Sequence, residues 1–172
     1  HRDLPKLMPY LHVPFQSGAD RVLAAMNRKH TAKDYLVMIE RIRDVRPDIA
    51  LSTDIIVGFP GETETEFEAS LGVVRHVGFA QAYCFKYSAR PGTPAASIQG
   101  QLSDAVCRDR LARLQTALQE QHLSYNLSSV GRTMPVLFEK AARRPGHLTG
   151  KSPYLQTVTV AGGHELVGQI ID

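Results

Sequence analysis

Three short segments hold the residues whose types and spacing could do chemistry. Gln16-Ser17-Gly18 offers an uncharged amide that can hydrogen-bond a polar ligand, or else a helix cap preceded by a surface Gln. The run from Thr53 through Asp54, Ile55, Ile56, Val57, Gly58, Phe59, Pro60 and Gly61 to Glu62 and Thr63 puts an acid inside an apolar stretch. Gly58 and Gly61 allow close backbone approach, and the N-terminus of the helix that follows favours an anionic group. Asp54 is costly to bury without hydrogen bonds, which points to a structural or ligand-binding role; Glu62 can serve the helix dipole alone. The third segment carries Lys86, Tyr87, Ser88, Arg90 and Thr93 around Pro91 and Gly92. The fork of Arg90 can hold a carboxylate or phosphate, and Tyr87 can stack on a base or fill a core.

Other chemistries lack their residues. A nucleotide-binding P-loop needs a Lys after its second Gly to meet the phosphates, and none stands near Gly61. None of these loops pairs a nucleophile with a base, so a hydrolytic triad has little support. The two cysteines, Cys84 and Cys107, have no neighbouring Cys or His at metal-ligand spacing, and read as free thiols of a reducing compartment.

These segments need elements to position them, and the first hundred residues repeat one grammar: an apolar run, a turn with Gly or Pro, then Ser/Thr-x-x-Asp/Glu opening a helical pattern. Residues 10–15 read as a strand leading to Ser17 and Asp20, which cap a short helix through about Arg28. Thr31 with Asp34 opens a second helix that Pro47 stops. Residues 49–59 read as a parallel strand covered on both faces. Thr63 with Glu66 opens a third helix carrying Phe67, Leu71, Val74 and Val77, and residues 79–87 form the next strand. Ser103 and Asp104 start a long helix with Leu111, Leu114 and Leu118, ending near Gly131. From Arg132 the pattern changes to short β-like runs at 134–139, 147–149, 155–160 and 166–171.

With 172 residues, 43% hydrophobic and 22% charged, the chain reads as a globular protein, and no apolar stretch is long enough to span a bilayer. A formal net charge of +3 permits a nucleic-acid partner without demanding one. Parallel βα architectures bind ligands at the C-terminal ends of their strands, where all three segments fall. The chain starts at His1 without Met or a signal peptide. The first half offers too few strands for a complete parallel barrel, and the β-run stops at Asp172 short of closure, so both ends read as cuts.

The strings LHVPFQSGAD (11–20), MNRKHT (26–31), TDIIVGFPGET (53–63) and YCFKYSARPGTPAA (83–96), in that order, resemble the radical S-adenosylmethionine methylthiotransferases. Arg90 before Pro91 in SARPGT favours the branch that acts on N6-dimethylallyladenosine at position 37 of tRNA. VLFEK (136–140) and GKSPYLQTV (150–158) resemble the start of the family's TRAM domain, a small β-barrel.

The resemblance implies an α/β fold: residues 1–130 as the C-terminal half of a partial TIM-type (βα) barrel, and 131–172 as a truncated, OB-like TRAM module. It implies a cytoplasmic, monomeric parent enzyme using S-adenosylmethionine and two 4Fe-4S clusters on the anticodon stem-loop of tRNA, with no membrane. The cluster cysteines of the family have no counterpart here, so the chain is expected to carry no metal, no catalytic residue of the cluster and no activity alone. In the family's fifth-strand G-x-I-x-G-x-x-E motif, Ile56 and Gly58 are in register against the adenosyl group. Asp54 replaces the first Gly, and Glu62 falls one place late. Gln16, Ser17, Tyr87 and Ser88 stand at strand ends where the cofactor is contacted. Arg90, Arg132, Lys140, Arg143, Arg144 and Lys151 are candidate RNA contacts, or a solvated face. Sister enzymes acting on threonylcarbamoyl-adenosine or on a ribosomal-protein aspartate, and an RNA-binding module without catalysis, are the alternatives.

Overall fold

The computed structural model describes residues 3, 4 and 6–172; His1, where the chain reads as cut, lies outside them. The first half runs β1 (Tyr10–His12), α1 (Asp20–Ala25), α2 (Ala32–Val45), β2 (Ala50–Val57), α3 (Glu64–Val77), β3 (Gln81–Lys86) and α4 (Asp104–Leu127). The second adds β4 (Val136–Ala141), β5 (His147–Lys151), β6 (Thr157–Ala161) and β7 (Ile170–Ile171). β1, β2 and β3 lie side by side in a parallel sheet, and the later strands form an antiparallel sheet in the order β6-β5-β4-β7.

Local sequence sets most helix starts. At α2 and α3 both halves of the expected capping boxes close, Thr31 with Asp34 and Thr63 with Glu66. α3 stops at Gly78, whose φ of 61° is left-handed and needs no Cβ. The start of α1 differs from expectation. Its N-cap is Ala19 without a side-chain cap, and Asp20 Oδ1 instead accepts from Ala32 N at 2.8 Å, capping the next helix. α4 ends at Leu127 with Ser128 as its C-cap, short of Gly131.

One face of the parallel sheet carries the core. Leu51, Ile55 and Val57 of β2 pack under Phe67, Leu71, Val74 and Val77 of α3 and Leu114 and Leu118 of α4. Each such side chain contributes roughly 1.5–3 kcal/mol, against about 0–1 kcal/mol for an exposed ion pair such as Arg21–Glu66, so packing dominates this half's stability. The expectation that β2 is covered on both faces holds only for its first half. Its odd-numbered residues meet the helices; on the other face Ala50 and Ser52 are buried, whereas Asp54 and Ile56 are only half-buried. The apolar run misled because Ala50 and Ile56 are apolar without being on the helix side.

In the antiparallel sheet Val136, Phe138 and Leu148 form a small core with Val158, Val160, Leu166 and Val167. Two expected strands shorten. Leu155 turns at φ 59°, so β6 begins at Thr157, and residues 164–166 form a short helical turn that leaves only Ile170 and Ile171 to pair with β4. The second unit is tied to the first by Tyr154 Oη donating to Asp48 Oδ2 at 2.9 Å, and by Gln156 Nε2 donating to Asn126 Oδ1 and Ser129 Oγ at 3.0 Å. Among the described residues no helix is long and apolar enough to cross a membrane.

Candidate functional site

The helix-free face of the parallel sheet gathers a polar and aromatic set. Strand alternation sends Tyr10 and His12 of β1, Ser52, Asp54 and Ile56 of β2, and Gln81, Tyr83 and Phe85 of β3 to this side, in the registers His12↔Ser52, Ser52↔Gln81, Asp54↔Tyr83 and Ile56↔Phe85. Tyr10 Oη donates to Ser52 Oγ at 2.6 Å, and His12 Nδ1 lies 2.8 Å from the same oxygen. His12 Nε2 stands 3.4 Å from Asp54 Oδ2, with about a third of each side chain exposed. The rings of His12 and Tyr83 meet edge-on at 6.3 Å. Tyr83 and Phe85, on the edge strand β3, remain 48% and 53% exposed and display aromatic surface beside Asp54 and Ile56.

The candidate residues at the strand ends divide. Gln16 is buried rather than on the surface, and holds φ 70°; its backbone prolongs the sheet, donating to Asp54 O at 2.8 Å and accepting from Ile56 N at 3.0 Å. Ser17 turns toward α3, its Oγ 3.5 Å from Ser70 Oγ and accepting from Ala19 N. Gly58 is at φ 76°, and a Cβ there would come within 2.5 Å of Cys107 Sγ. Its N–H already donates to Glu62 Oε2 at 2.8 Å. Tyr87 stacks edge-on against Phe59 at 5.2 Å in a cluster with Ala19 and Val22, its hydroxyl buried without a partner among the described residues. Ser88 and Arg90 are exposed, and Arg90 O accepts from Thr93 N and Oγ1.

Glu62 does more than face the helix dipole. Its side chain is fully buried, and Oε2 receives Gly58 N–H and Arg110 Nη1, both at 2.8 Å. Burial pushes its carboxyl above the ordinary carboxylate range, against the pull of the Gly58 N–H and Arg110. Arg110 Nη1 also donates to Glu62 O, so the pair pins the β2–α3 loop to α4.

The candidate RNA contacts scatter. Arg132 lies over the Tyr154 ring at 5.7 Å, and Arg143 and Arg144 are exposed in the β4–β5 turn. Lys140 and Lys151 share one face of the antiparallel sheet, because the pairs Leu137↔Lys151 and Lys140↔Thr149 flank a bulge between Phe138 and Lys140. Unbroken alternation from Phe138 would put Lys140 on the buried face; the register shift at the bulge turns it outward beside Thr149.

Sequence reading located Asp54 and Ile56 but missed Tyr10, His12, Ser52, Tyr83 and Phe85, because it looked only at strand ends. The signal was present: polar or aromatic residues recur at every second position in each strand. Nothing in the sequence links Glu62 to Arg110, which meet only through folding.

The residues present suit one of the two implied groups. The open face, with Ile56 and the Phe85 and Tyr83 rings beside the Asp54 carboxylate, matches the flat ring and polar edge of an adenosyl group. An iron–sulfur cluster does not fit the thiols: Cys107 is buried against Gly58, and Cys84 is half-buried against the hydrophobic core on the helix side of the sheet. Among the described residues no three His, Cys, Asp or Glu side chains assemble that could hold a metal ion.

Residues 2–74 match the radical SAM superfamily. Across all 172 residues the chain is 58% identical to a tRNA-2-methylthio-N(6)-dimethylallyladenosine synthase of Jannaschia sp., of which it covers 37%. Proteins of the same name from Maricaulis maris and Sphingopyxis alaskensis are 55% and 53% identical, over 98% and 100% of this chain and 37% and 39% of their own lengths. The chain thus spans somewhat over a third of the curated relatives it matches. The likeness extends through both sheets and bears out the resemblance carried by the four motifs: the chain is related to the radical SAM methylthiotransferases, with the parallel βα half fitting a partial TIM-type barrel.

Proposed function

We propose that this chain is the C-terminal half of a radical SAM barrel, residues 1–130, followed by the beginning of a TRAM module, residues 131–172, from a cytoplasmic tRNA methylthiotransferase. The parent adds a methylthio group to C2 of N6-dimethylallyladenosine at position 37, acting as a monomer on the anticodon stem-loop. The observation that carries this is the identity of 53–58% to relatives bearing that enzyme name. S-adenosylmethionine, when bound, supplies both the methyl group and the 5′-deoxyadenosyl radical, the latter with an iron–sulfur cluster held outside this chain.

The chain's own residues bind and orient. Ile56 and Phe85 give an apolar wall for the adenosyl ring and Asp54 a polar edge. Gln16 and the rim residues Ser17, Gly58, Tyr87 and Ser88 frame the strand ends. Lys140 and Lys151 on one sheet face, with Arg143 and Arg144 in the adjoining turn and Arg90 and Arg132 elsewhere, meet RNA phosphates. Expression of the full-length protein in cells lacking methylthiolated tRNA, followed by mass spectrometry of digested nucleosides, tests the reading. A gain of the 2-methylthio derivative of dimethylallyladenosine supports it; a methylthio product on threonylcarbamoyl-adenosine or on protein replaces it with a sister activity. Anaerobic iron-sulfide reconstitution of the 172-residue chain alone is expected to give no 4Fe-4S absorption; a stable, stoichiometric cluster overturns that part.

A further inference from the structure

The hydrogen bonds among Tyr10, Ser52, His12 and Asp54 have a direction. Ser52 is fully buried, and its Oγ accepts from Tyr10 Oη. The remaining neighbour for the Ser52 hydroxyl hydrogen is His12 Nδ1, at 2.8 Å. That leaves the ring proton on Nε2, the nitrogen 3.4 Å from Asp54 Oδ2. A half-buried tyrosine and a buried serine therefore fix the tautomer of a histidine, and the histidine steadies one oxygen of a carboxylate that stays a third exposed. The other Asp54 oxygen, Oδ1, has no partner among the described residues. Asp54 is opposite Tyr83 in the register and one step from the Ile56↔Phe85 pair. A partly exposed carboxylate oxygen with no protein donor among the described residues, beside two exposed aromatic rings, suits a flat heterocycle carrying an N–H on its edge.

We propose that Asp54 is a binding residue that accepts a hydrogen bond from the 6-amino group of an adenine ring lying on Tyr83 and Phe85, and that His12, Ser52 and Tyr10 are positioning residues that orient it. The proposal rests on the methylthiotransferase reading for the identity of the ring. Adenine reaches such a site either as the adenosyl part of the cofactor, with a free 6-amino group, or as the target base of the RNA, whose dimethylallylated N6 keeps one N–H.

The full-length protein is titrated with two pairs of probes: 5′-deoxyadenosine against its 6-desamino analogue, and an anticodon stem-loop carrying adenine or purine at the target position. A site built to bond the amino group rejects the analogue lacking it, so the wild type is expected to prefer the amino form in one pair by about tenfold or more. Asp54→Asn should reduce that preference to within about twofold. His12→Gln, whose amide can still donate to Asp54, should keep most of it, and His12→Leu should lose most of it. Because the readout is a ratio for each variant, a general loss of folded protein does not mimic it. Collapse in the nucleoside pair assigns the ring to the cofactor, and collapse in the RNA pair assigns it to the target base. An unchanged ratio in Asp54→Asn for both pairs, or no preference in the wild type, overturns the proposal. If the Asp54-dependent ratio is present but no methylthio nucleoside forms in cells, the functional reading fails and the adenine site stands.

Discussion

Arg110 Nη1 stands 2.8 Å from Glu62 Oε2, with the two side chains 5% and 0% exposed, in a protein whose other ion pairs among the described residues are all more open to water. Such a pair returns little net stability over an apolar replacement of both partners, because desolvation offsets much of its attraction. Removing one partner is different. Arg110→Met is expected to destabilise the fold by about 3–5 kcal/mol by stranding the buried carboxylate, and Glu62→Leu together with Arg110→Met to recover a large part of that. Urea denaturation of the single and double variants measures both; a double variant no more stable than the worse single would show that the pair contributes on its own account.

Gly58 is held by two independent constraints, a φ of 76° and the 2.5 Å approach of a would-be Cβ to Cys107 Sγ. Gly58→Ala should therefore cost about 1 kcal/mol for backbone strain, plus a further clash cost of about 1–3 kcal/mol. Adding Cys107→Ala removes the clash and leaves the strain. Thermal unfolding of the pair of variants checks this, and equal melting temperatures for Gly58→Ala with and without Cys107→Ala would contradict the packing explanation.

Acid should act on the Arg21–Glu66 link. Arg21 reaches Glu66 through Nε at 2.6 Å and Nη2 at 2.7 Å, and with Thr63 it holds the Glu66 carboxyl at about 2, down from the ordinary 4.5. A carboxyl with a lower value in the folded state stabilises the fold above the unfolded value, and that stability is lost as pH falls from about 4.5 to about 2. Exposure to solvent limits the contribution to about 1 kcal/mol. Chemical denaturation across that window should show Glu66→Gln less pH-dependent than the wild type by this amount. Parallel curves for the two proteins would refute the assignment.

How far the sequence reached depended on whether a feature is local. The caps at Thr31 and Thr63 and the stripes of α3 and α4 follow from spacings within one turn of helix, and they were legible. Asp20 capping α2 instead of α1 was not, because the choice depends on how the short α1 turns back toward Ala32. Asp54 stood out as a charge in an apolar run. Its meaning came only with the register that brings His12 and Tyr83 beside it from strands distant in sequence. The face of Lys140 depends on a single bulge residue, which alternation alone assigns to the wrong side.

That bulge leads to the last expectation. Lys140 and Lys151 project from the same sheet face with Thr149 between them in the register, although Lys151 Nζ also donates to Thr157 Oγ1 at 2.7 Å. If this face meets phosphates, each lysine releases about one counterion on binding, so Lys140→Gln with Lys151→Gln should lower the slope of log affinity against log salt by about 1–2. The weakening should be similar for RNAs of different sequence, since phosphate contacts position without reading bases. Deleting Glu139 offers a separate check: without the extra residue Lys140 directly follows Phe138, regular alternation keeps it on the outer face opposite Thr149, and the salt slope should stay close to that of the wild type. Fluorescence anisotropy with labelled stem-loop RNA at several salt concentrations measures the slope; an unchanged slope in the double variant would assign the RNA contacts to Arg143, Arg144 or the βα half instead.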